Sequence, residues 1–454
     1  ILISASDDKK IRIWDIDNEQ TEWGYSVSDQ IGNRFYTSPQ FIQMDLTRKS
    51  LWTAGTVIRE LKLPDDLKII DSNLGLVTVD APSEFRIYVC GITPYDSTNL
   101  GHAATYLAFD LINRYQSLSG RILNFVENVT DIDDPLLERA KRDNSNWQQL
   151  ADTQTQLFKS DMSALRIIPP NNLVKVTESM AIIEDFIKKL DSQGYVYEIS
   201  GDYYFSVEQF LSGLPVSISE AVKIFAERGG DPHRQGKKHQ LDPLVWSANT
   251  EGEPGWESSF GFGRPGWHVE CTAIACKYLD KDSNNPILHV QGGGSDLIFP
   301  HHFMSAQIVK AAYGRDFSQY FVHAAMIGLD GEKMSKSKGN LVFVSKLLSA
   351  GVDPMAIRWA LLQGHYQKDR EWSENLLSEA EIQIATVRRA LAQSEVSDPK
   401  ELIAGIIADL SNNLDTPSAL KRLLLWSEQS INAGSINQSG LVSRSIDALL
   451  GLAL

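Results

Sequence analysis

Apolar runs of two kinds alternate along the middle of the chain. Short blocks over 86–90, 122–127, 173–176 and 287–290 are bounded by turn residues and read as buried strands. Between them lie longer stretches of helical periodicity. One opens at Gly101-His102 and runs to about Leu118, others cover roughly 146–165 and 177–193, and another enters at Gly266-Trp267 and runs to about Leu279. Pro135 stands at a favourable first-turn position for a further helix. Strands alternating with helices predict an α/β fold with a parallel sheet and right-handed crossovers, the nucleotide-binding class of architecture. Gly292-Gly-Gly294-Ser295-Asp296 predicts a glycine turn after the strand, and His301-His302 the start of the next helix. Ahead of this domain, 67–71 and 76–79 predict a hairpin with Asn73-Leu-Gly75 at its turn. A second hairpin about Ser200-Gly201-Asp202 falls in a less regular insertion of about 177–245. After 353 the pattern is helical almost to the end, which predicts a C-terminal bundle.

The expected organisation is a Rossmann-like domain over 61–340 and a helical domain over 341–454, with 31–60 carrying no clear signal. The first sixteen residues stand apart. Two short β runs flank Asp7-Asp-Lys-Lys10, and Trp14-Asp15 closes the second, which resembles the end of a WD40 propeller blade. One blade cannot bury its own faces, and no repeat follows. Residues 1–30 are therefore expected to be a stray segment from a fusion or gene-model artefact rather than a working propeller.

Composition narrows the class without naming it. The 454 residues are 43% hydrophobic and 22% charged, ordinary for a globular chain. No run of 18 apolar residues predicts a membrane span, and no signal-peptide pattern opens the sequence. A net charge of -15 argues against a general nucleic-acid binder. Three cysteines, Cys90, Cys271 and Cys276, cannot make a disulfide framework and fit a reducing cytoplasm. Cys276, on the apolar helix after Cys271, reads as a small buried hydrophobe.

Two stretches carry phosphate chemistry. Lys333-Met-Ser-Lys336-Ser-Lys338-Gly-Asn340 offers cations and small hydroxyls to a polyphosphate, of most use where charge develops on leaving oxygens. Far upstream, Cys90-Gly-Ile-Thr-Pro-Tyr-Asp96 leaves a strand, and Asn99-Leu-Gly-His102 opens a helix. Strand, glycine-containing turn and helix N-terminus form a phosphate-receiving geometry. Cys90, Cys271 and His301 each sit at a strand end or helix start, where parallel sheets gather ligands. Two thiolates and an imidazole suit tetrahedral Zn²⁺ with one open position, although no local Cys-x-x-Cys supports the set by spacing.

Asn99-Leu-Gly-His102 and Lys333-Met-Ser-Lys336-Ser resemble the two signatures of class I aminoacyl-tRNA synthetases. Cys90-Gly-x-Thr93-x-Tyr-Asp96 narrows the resemblance to the cysteinyl branch. Where those synthetases continue Phe-Pro-His-His-Glu-Asn-Glu, this chain reads Phe299-Pro-His-His-Phe-Met-Ser305, so their fourth zinc ligand is a serine here. That departure, Ile92 and Pro94, and Glu227-Arg-Gly-Gly-Asp-Pro232 resemble instead the actinobacterial mycothiol ligases, paralogues of the cysteinyl enzymes. The match runs from about 61 to 430.

The resemblance implies an ATP-dependent ligase of two steps. Cysteine attacks the α-phosphate, giving cysteinyl-adenylate and pyrophosphate. The amine of 1D-myo-inositol 2-amino-2-deoxy-α-D-glucopyranoside then takes the cysteinyl group and AMP leaves. It implies one Zn²⁺ per chain on Cys90, Cys271 and His301, and Mg²⁺ with ATP. A soft thiol on such a metal separates cysteine from serine. His102 with Asn99 would meet the phosphates, and Lys333 and Lys336 would stabilise leaving pyrophosphate. Adenylate contacts would come from Cys90, Gly91, Ile92, Thr93, Thr105, Asn128, Val129, Thr130, Trp267, Gly294, Ser295, Asp296 and Ile327. His302 is expected to support a ligand or cap a helix. Asn99 replaces the first histidine of its signature; it keeps an NH₂ donor without the charge, so a modest loss in ATP activation is expected. The expected enzyme is a cytoplasmic monomer acting on small molecules, with no membrane or nucleic-acid partner. The alternatives are a cysteinyl-tRNA synthetase and a propeller-type interaction protein.

Overall fold

The computed structural model describes residues 65–80, 83–281, 286–329, 331–334, 339–436 and 438–454, together with six strands that precede them. Those six are β1 (Leu2–Ala5), β2 (Lys10–Asp15), β3 (Gln20–Ser26), β4 (Phe41–Asp45), β5 (Ser50–Ala54) and β6 (Arg59–Lys62). They form two antiparallel three-stranded sheets, β1-β2-β3 and β4-β5-β6. The two β runs expected in the first sixteen residues pair with Leu2 opposite Trp14. The turn expected between them lies outside the described residues. Strands at 41–62 were not anticipated. Their period-two alternation, as in Phe41-Ile-Gln-Met-Asp45, is short and lacks strong turn punctuation.

Next comes the expected hairpin, β7 (Lys68–Asp71) and β8 (Gly75–Thr78), with Gly75 at φ 77° in its turn. The α/β core then runs β9 (Glu84–Ile92), α1 (Leu100–Leu118), β10 (Ile122–Val129), α2 (Asp134–Arg142), α3 (Trp147–Ala164), β11 (Asn172–Lys175) and α4 (Met180–Ser192). A four-stranded antiparallel sheet follows, β12 (Val196–Ile199), β13 (Asp202–Phe205), β14 (Leu244–Ala248) and β15 (Gly263–Pro265), with α5 (Ile218–Glu227) between its middle strands. This region is more regular than its turn-rich sequence suggests, because strands far apart in the chain complete the ladder. The core resumes with α6 (Trp267–Leu279), β16 (Leu288–Gly294), α7 (Phe303–Tyr313) and β17 (Ser318–Ala324). Beyond it lie β18 (Ile327–Leu329), β19 (Glu332–Lys333), α8 (Val344–Ser349), α9 (Pro354–Leu362) and β20 (Arg370–Trp372). Four helices close the chain: α10 (Glu374–Leu391), α11 (Pro399–Ser411), α12 (Thr416–Ala433) and α13 (Ser439–Leu450).

The central sheet is parallel throughout, in the order β11-β10-β9-β16-β17. The chain builds outward from β9 through β10 to β11, then returns to the other side of β9. The point where the order reverses lies between β9 and β16, and ligands of parallel sheets bind at such a crevice. Both faces are covered, which explains the unbroken burial of Phe85–Cys90. Ile87 and Val89 pack toward α1 and the C-terminal helices. Tyr88 and Cys90 point the other way, into the core shared by α4, α6 and α7.

Two local expectations are corrected. Gly292 to Gly294 are not a turn but the last residues of β16. A Cβ on Gly292 would stand 2.3 Å from the Phe109 ring of α1, so glycine serves close approach here rather than chain reversal. The helix expected from His301 begins at Phe303. Residues 298–302 form an irregular turn in which Phe299 is extended, at φ -138° and ψ 136°, and this turn presents both histidines to the crevice.

Candidate active site

Three elements converge on Cys90. β9 supplies it near the carboxyl edge of the sheet, α6 supplies Cys271 from its second turn, and the turn before α7 supplies His301. All three are buried, and their ligand atoms lie within 4.8 Å of one another. The two thiols are driven in opposite directions, downward at Cys271. A hydrogen bond from Cys90 pulls its thiol well below the ordinary range, with His301 assisting, whereas burial pushes the Cys90 thiol up. His301 stacks on Trp267 with ring centroids 4.3 Å apart. Its Nδ1 lies 3.0 Å from His268 Nδ1, while its Nε2 is buried with no hydrogen-bond partner. An orphaned imidazole nitrogen beside two sulfurs is costly unless something binds it. The donor set fits a soft divalent cation. Ser305, the position of the fourth ligand in the synthetase pattern, is buried on α7 with its hydroxyl also unpartnered.

More polar groups back this cluster than sequence reasoning named. His302 Nε2 lies 3.2 Å from Cys90 Sγ, and its Nδ1 lies 2.7 Å from His323 Nε2. Burial lowers His302 well below its ordinary value, first by desolvation and then by the neighbouring His323. Glu270, beside Cys271, is buried with one oxygen unpartnered, and burial raises its carboxyl well above the usual range. Tyr88 donates to Asn128 Oδ1 at 2.9 Å, and the Gly91 amide donates to the same oxygen at 2.9 Å. His268, His323 and Gln291 were missed as supporting groups. Each is an isolated polar residue within an apolar run, and only the tertiary fold gathers them.

The nucleotide side is built on the start of α1. Asn99 caps this helix, its Oδ1 accepting from the His102 amide at 3.0 Å. His102 is exposed in the first turn. Thr105 is half-buried, donates to the Gly101 carbonyl at 3.1 Å, and its hydroxyl stands 4.0 Å from where a Cβ on Gly294 would be. Ser295 and Asp296 follow in a short turn, and Arg228 reaches across from α5 to Asp296 at 3.5 Å. The segment 342–344, which follows the lysine motif, runs against the same place. Asn99 pairs with Phe343, the Leu100 amide donates to the Val342 carbonyl at 2.9 Å, and the Val344 amide donates to the Thr98 carbonyl at 3.0 Å. Lys333 ends β19; Lys336 lies outside the described residues.

The remaining expected contacts divide by what their side chains do. Asn128 spends its amide internally, accepting from Tyr88 and Gly91 and donating to Thr130 at 3.0 Å. Gly91 tolerates no side chain, since a Cβ would lie 1.6 Å from the Asn128 carbonyl. Ile92, Val129 and Ile327 are buried. Thr93, just past β9, donates to Asp133, whose carboxyl burial pushes up to about 6. Asp133 also caps α2, accepting from the Asp134 amide at 2.8 Å.

Comparisons with known proteins agree with this geometry. The family described as tRNA synthetases class I (C) catalytic domain matches residues 77–382. The chain is 47% identical over 400 residues to the L-cysteine:1D-myo-inositol 2-amino-2-deoxy-alpha-D-glucopyranoside ligase of Streptomyces griseus, covering 86% of this chain and 96% of that one. It is 46% identical over 414 residues to the protein of the same name from Actinosynnema mirum, covering 89% and 99%. Among solved structures, a Mycobacterium tuberculosis methionyl-tRNA synthetase in complex with methionyl-adenylate shares the fold at a TM-score of 0.60 and 13% identity, over 82% of this chain and 92% of that one.

Proposed function

The chain belongs to the family of L-cysteine:1D-myo-inositol 2-amino-2-deoxy-alpha-D-glucopyranoside ligases, built on the class I synthetase catalytic domain, and from that premise we propose how its residues carry the reaction. The enzyme is a ligase. It joins the carboxyl group of L-cysteine to the amine of the aminoglucosyl-inositol, with ATP cleaved to AMP and pyrophosphate. The single observation that carries the reading is the gathering of Cys90, Cys271 and His301 within 4.8 Å beside the crevice between β9 and β16.

Cys90, Cys271 and His301 would hold a zinc ion, and the substrate thiol would be recognised there. The ion supplies a soft Lewis acid that prefers thiol to hydroxyl, which a simple pocket contact discriminates poorly. Trp267 keeps the His301 ring in place by stacking. Gly91 lets the chain run close beside Asn128, where a Cβ would lie 1.6 Å from the Asn128 carbonyl oxygen. His102, the Asn99 amide and the N-terminus of α1 receive the phosphates of ATP, with Mg²⁺ as its counter-ion. Lys333 and Lys336 meet the pyrophosphate as charge builds on it. In the second half-reaction the acceptor nitrogen bonds to the activated carbonyl carbon, the carbonyl–phosphate bond breaks, and AMP departs. Holding both reactants in register supplies much of the rate.

The experiment supplies cysteine and ATP with the amino sugar in one reaction and with tRNA in another, and identifies products by mass spectrometry. A cysteinyl amide of the amino sugar with uncharged tRNA is the expected result. Charged tRNA without the amide would replace the reading with that of a cysteinyl-tRNA synthetase.

A further inference from the structure

The hydrogen bonds around Cys90 continue past the cluster to the surface. His302 Nε2 is 3.2 Å from Cys90 Sγ, His302 Nδ1 is 2.7 Å from His323 Nε2, and His323 Nδ1 is 2.6 Å from Ser72 Oγ. Cys90 and both imidazoles are buried, whereas Ser72 is exposed. Ser72 lies just beyond β7, before the segment that the family model matches. Its position is fixed. The Ser72 amide donates to the Phe321 carbonyl at 2.9 Å. The Asp71 carboxylate accepts from the Phe321 amide at 2.5 Å and from Asn73 and Leu74 of its own turn at 2.7 and 2.6 Å. The hairpin is thus fastened to β17 two residues before His323.

We propose that Ser72, His323 and His302 are positioning residues that hold Cys90 as a metal ligand through a chain of hydrogen bonds directed inward from the surface. This rests on the metal reading of Cys90, Cys271 and His301. A cysteine sulfur bonded to a cation has no proton and only accepts. His302 Nε2 therefore carries the proton, and in a neutral imidazole Nδ1 must then accept. The donor to that Nδ1 is His323 Nε2–H, which leaves His323 Nδ1 as an acceptor. Among the described residues, the Ser72 hydroxyl, 2.6 Å away, is the group that donates there. Burial, which holds His323 down at about 4, keeps that ring neutral. Gln291 joins at the inner end. Its amide nitrogen lies 3.0 Å from His302 Nε2 and 3.4 Å from Cys90 Sγ, and its Oε1 is buried without a partner. With the amide turned over, that oxygen accepts from the same His302 N–H. Groups one bond removed from a ligand fix its orientation and change metal affinity by about 10- to 100-fold.

The test measures zinc affinity by competition with a chromophoric chelator, alongside thermal stability and the KM values for cysteine and ATP. His302→Leu is expected to weaken zinc by about 10- to 100-fold, and Ser72→Ala and His323→Leu by roughly 3- to 10-fold. The KM for cysteine rises in each and that for ATP stays. Ser72→Thr, which keeps the hydroxyl, restores wild-type affinity. Zinc affinity unchanged in both Ser72→Ala and His323→Leu overturns the proposal, and a lower Tm alone then assigns Ser72 to hairpin packing. Cys271→Ser separates this failure from that of the underlying reading. If that variant keeps its zinc at wild-type affinity, the metal reading falls and the positioning chain falls with it.

Discussion

The main-chain amide of Val344 donates to the carbonyl of Thr98 across 3.0 Å. With the Leu100 to Val342 bond beside it, this ties the segment that follows the lysine motif to the start of α1. Val344→Pro tests the tie cleanly. Val344 is the first residue of α8, where proline is tolerated, and Phe343 before it is already extended at φ -100° and ψ 134°. Losing one hydrogen bond costs about 1 kcal/mol, so ATP–pyrophosphate exchange is expected to fall about fivefold with the fold intact by circular dichroism.

Asn99 caps α1 through Oδ1, and in the proposed reaction its Nδ2 is the phosphate donor. Asn99→Ala loses both, at about 1 kcal/mol of stability and a raised KM for ATP. Asn99→Asp keeps the cap but sets a negative charge against the phosphates, so Tm holds while exchange drops. Asn99→His exchanges cap for charge and is expected to speed exchange at some cost in Tm. Equal Tm and equal exchange in Asn99→Ala would contradict both assignments.

His301→Ala leaves two buried thiols without their imidazole. Bound zinc, read by elemental analysis after dialysis, is expected to fall below one tenth of the wild-type content, and cysteine activation by about 100-fold or more. Activity that survives with an empty site would remove the metal from the reaction.

Arg358 on α9 is fully buried against Asp110 on α1, and also donates to the carbonyls of Leu450 and Leu165 at 2.7 Å. The pair joins the sheet domain to the last helices. Arg358→Met leaves Asp110 with Arg114 and the Ile168 amide, and unfolding stability at pH 7 is expected to drop by about 3 kcal/mol. Although burial opposes it, the arginines hold the Asp110 carboxyl below its ordinary value. Its contribution is therefore present above the usual carboxylate pKa and lost as pH falls through the lower folded value. The gap between variant and wild type should narrow in acid, as measured by urea unfolding.

Glu127 behaves in the opposite sense. Burial raises its carboxyl to about 8. The folded state thus binds the proton more tightly than the unfolded state, and stability falls as pH climbs from the usual carboxylate range toward 8. Glu127→Gln should gain stability relative to wild type over that interval and show little difference below pH 4, by thermal unfolding across a pH series.

The alternation of strands and helices was legible because it is written in local pattern, whereas Cys90, Cys271 and His301, which the fold gathers within 4.8 Å, were named together through the family resemblance rather than by spacing. Strand β9 declared itself by Ile87 to Cys90, and α1 by the residues after Gly101. What sequence could not show was closeness. Gly292 read as a turn residue, since nothing local reveals that Phe109 crosses over it. His268 and His323 looked like single polar interruptions, and Ser72 like a hairpin residue, until the sheet order set them against His301 and His302. The strands over 41–62 were too short and too weakly punctuated to stand out.

Cys90 leaves the first strand of the sheet, Cys271 arrives after the antiparallel insertion, and His301 follows the strand that closes the crevice. A growing or unfolded chain holds these three apart, so no fragment ending before β16 presents the full set. Under the proposed metal reading, capture of a cation is consequently tied to the completed topology, and its binding energy accrues only there. On that reading metal occupancy would be a reporter of assembly: a molecule that retained an ion would be one in which the two halves of the sheet have met.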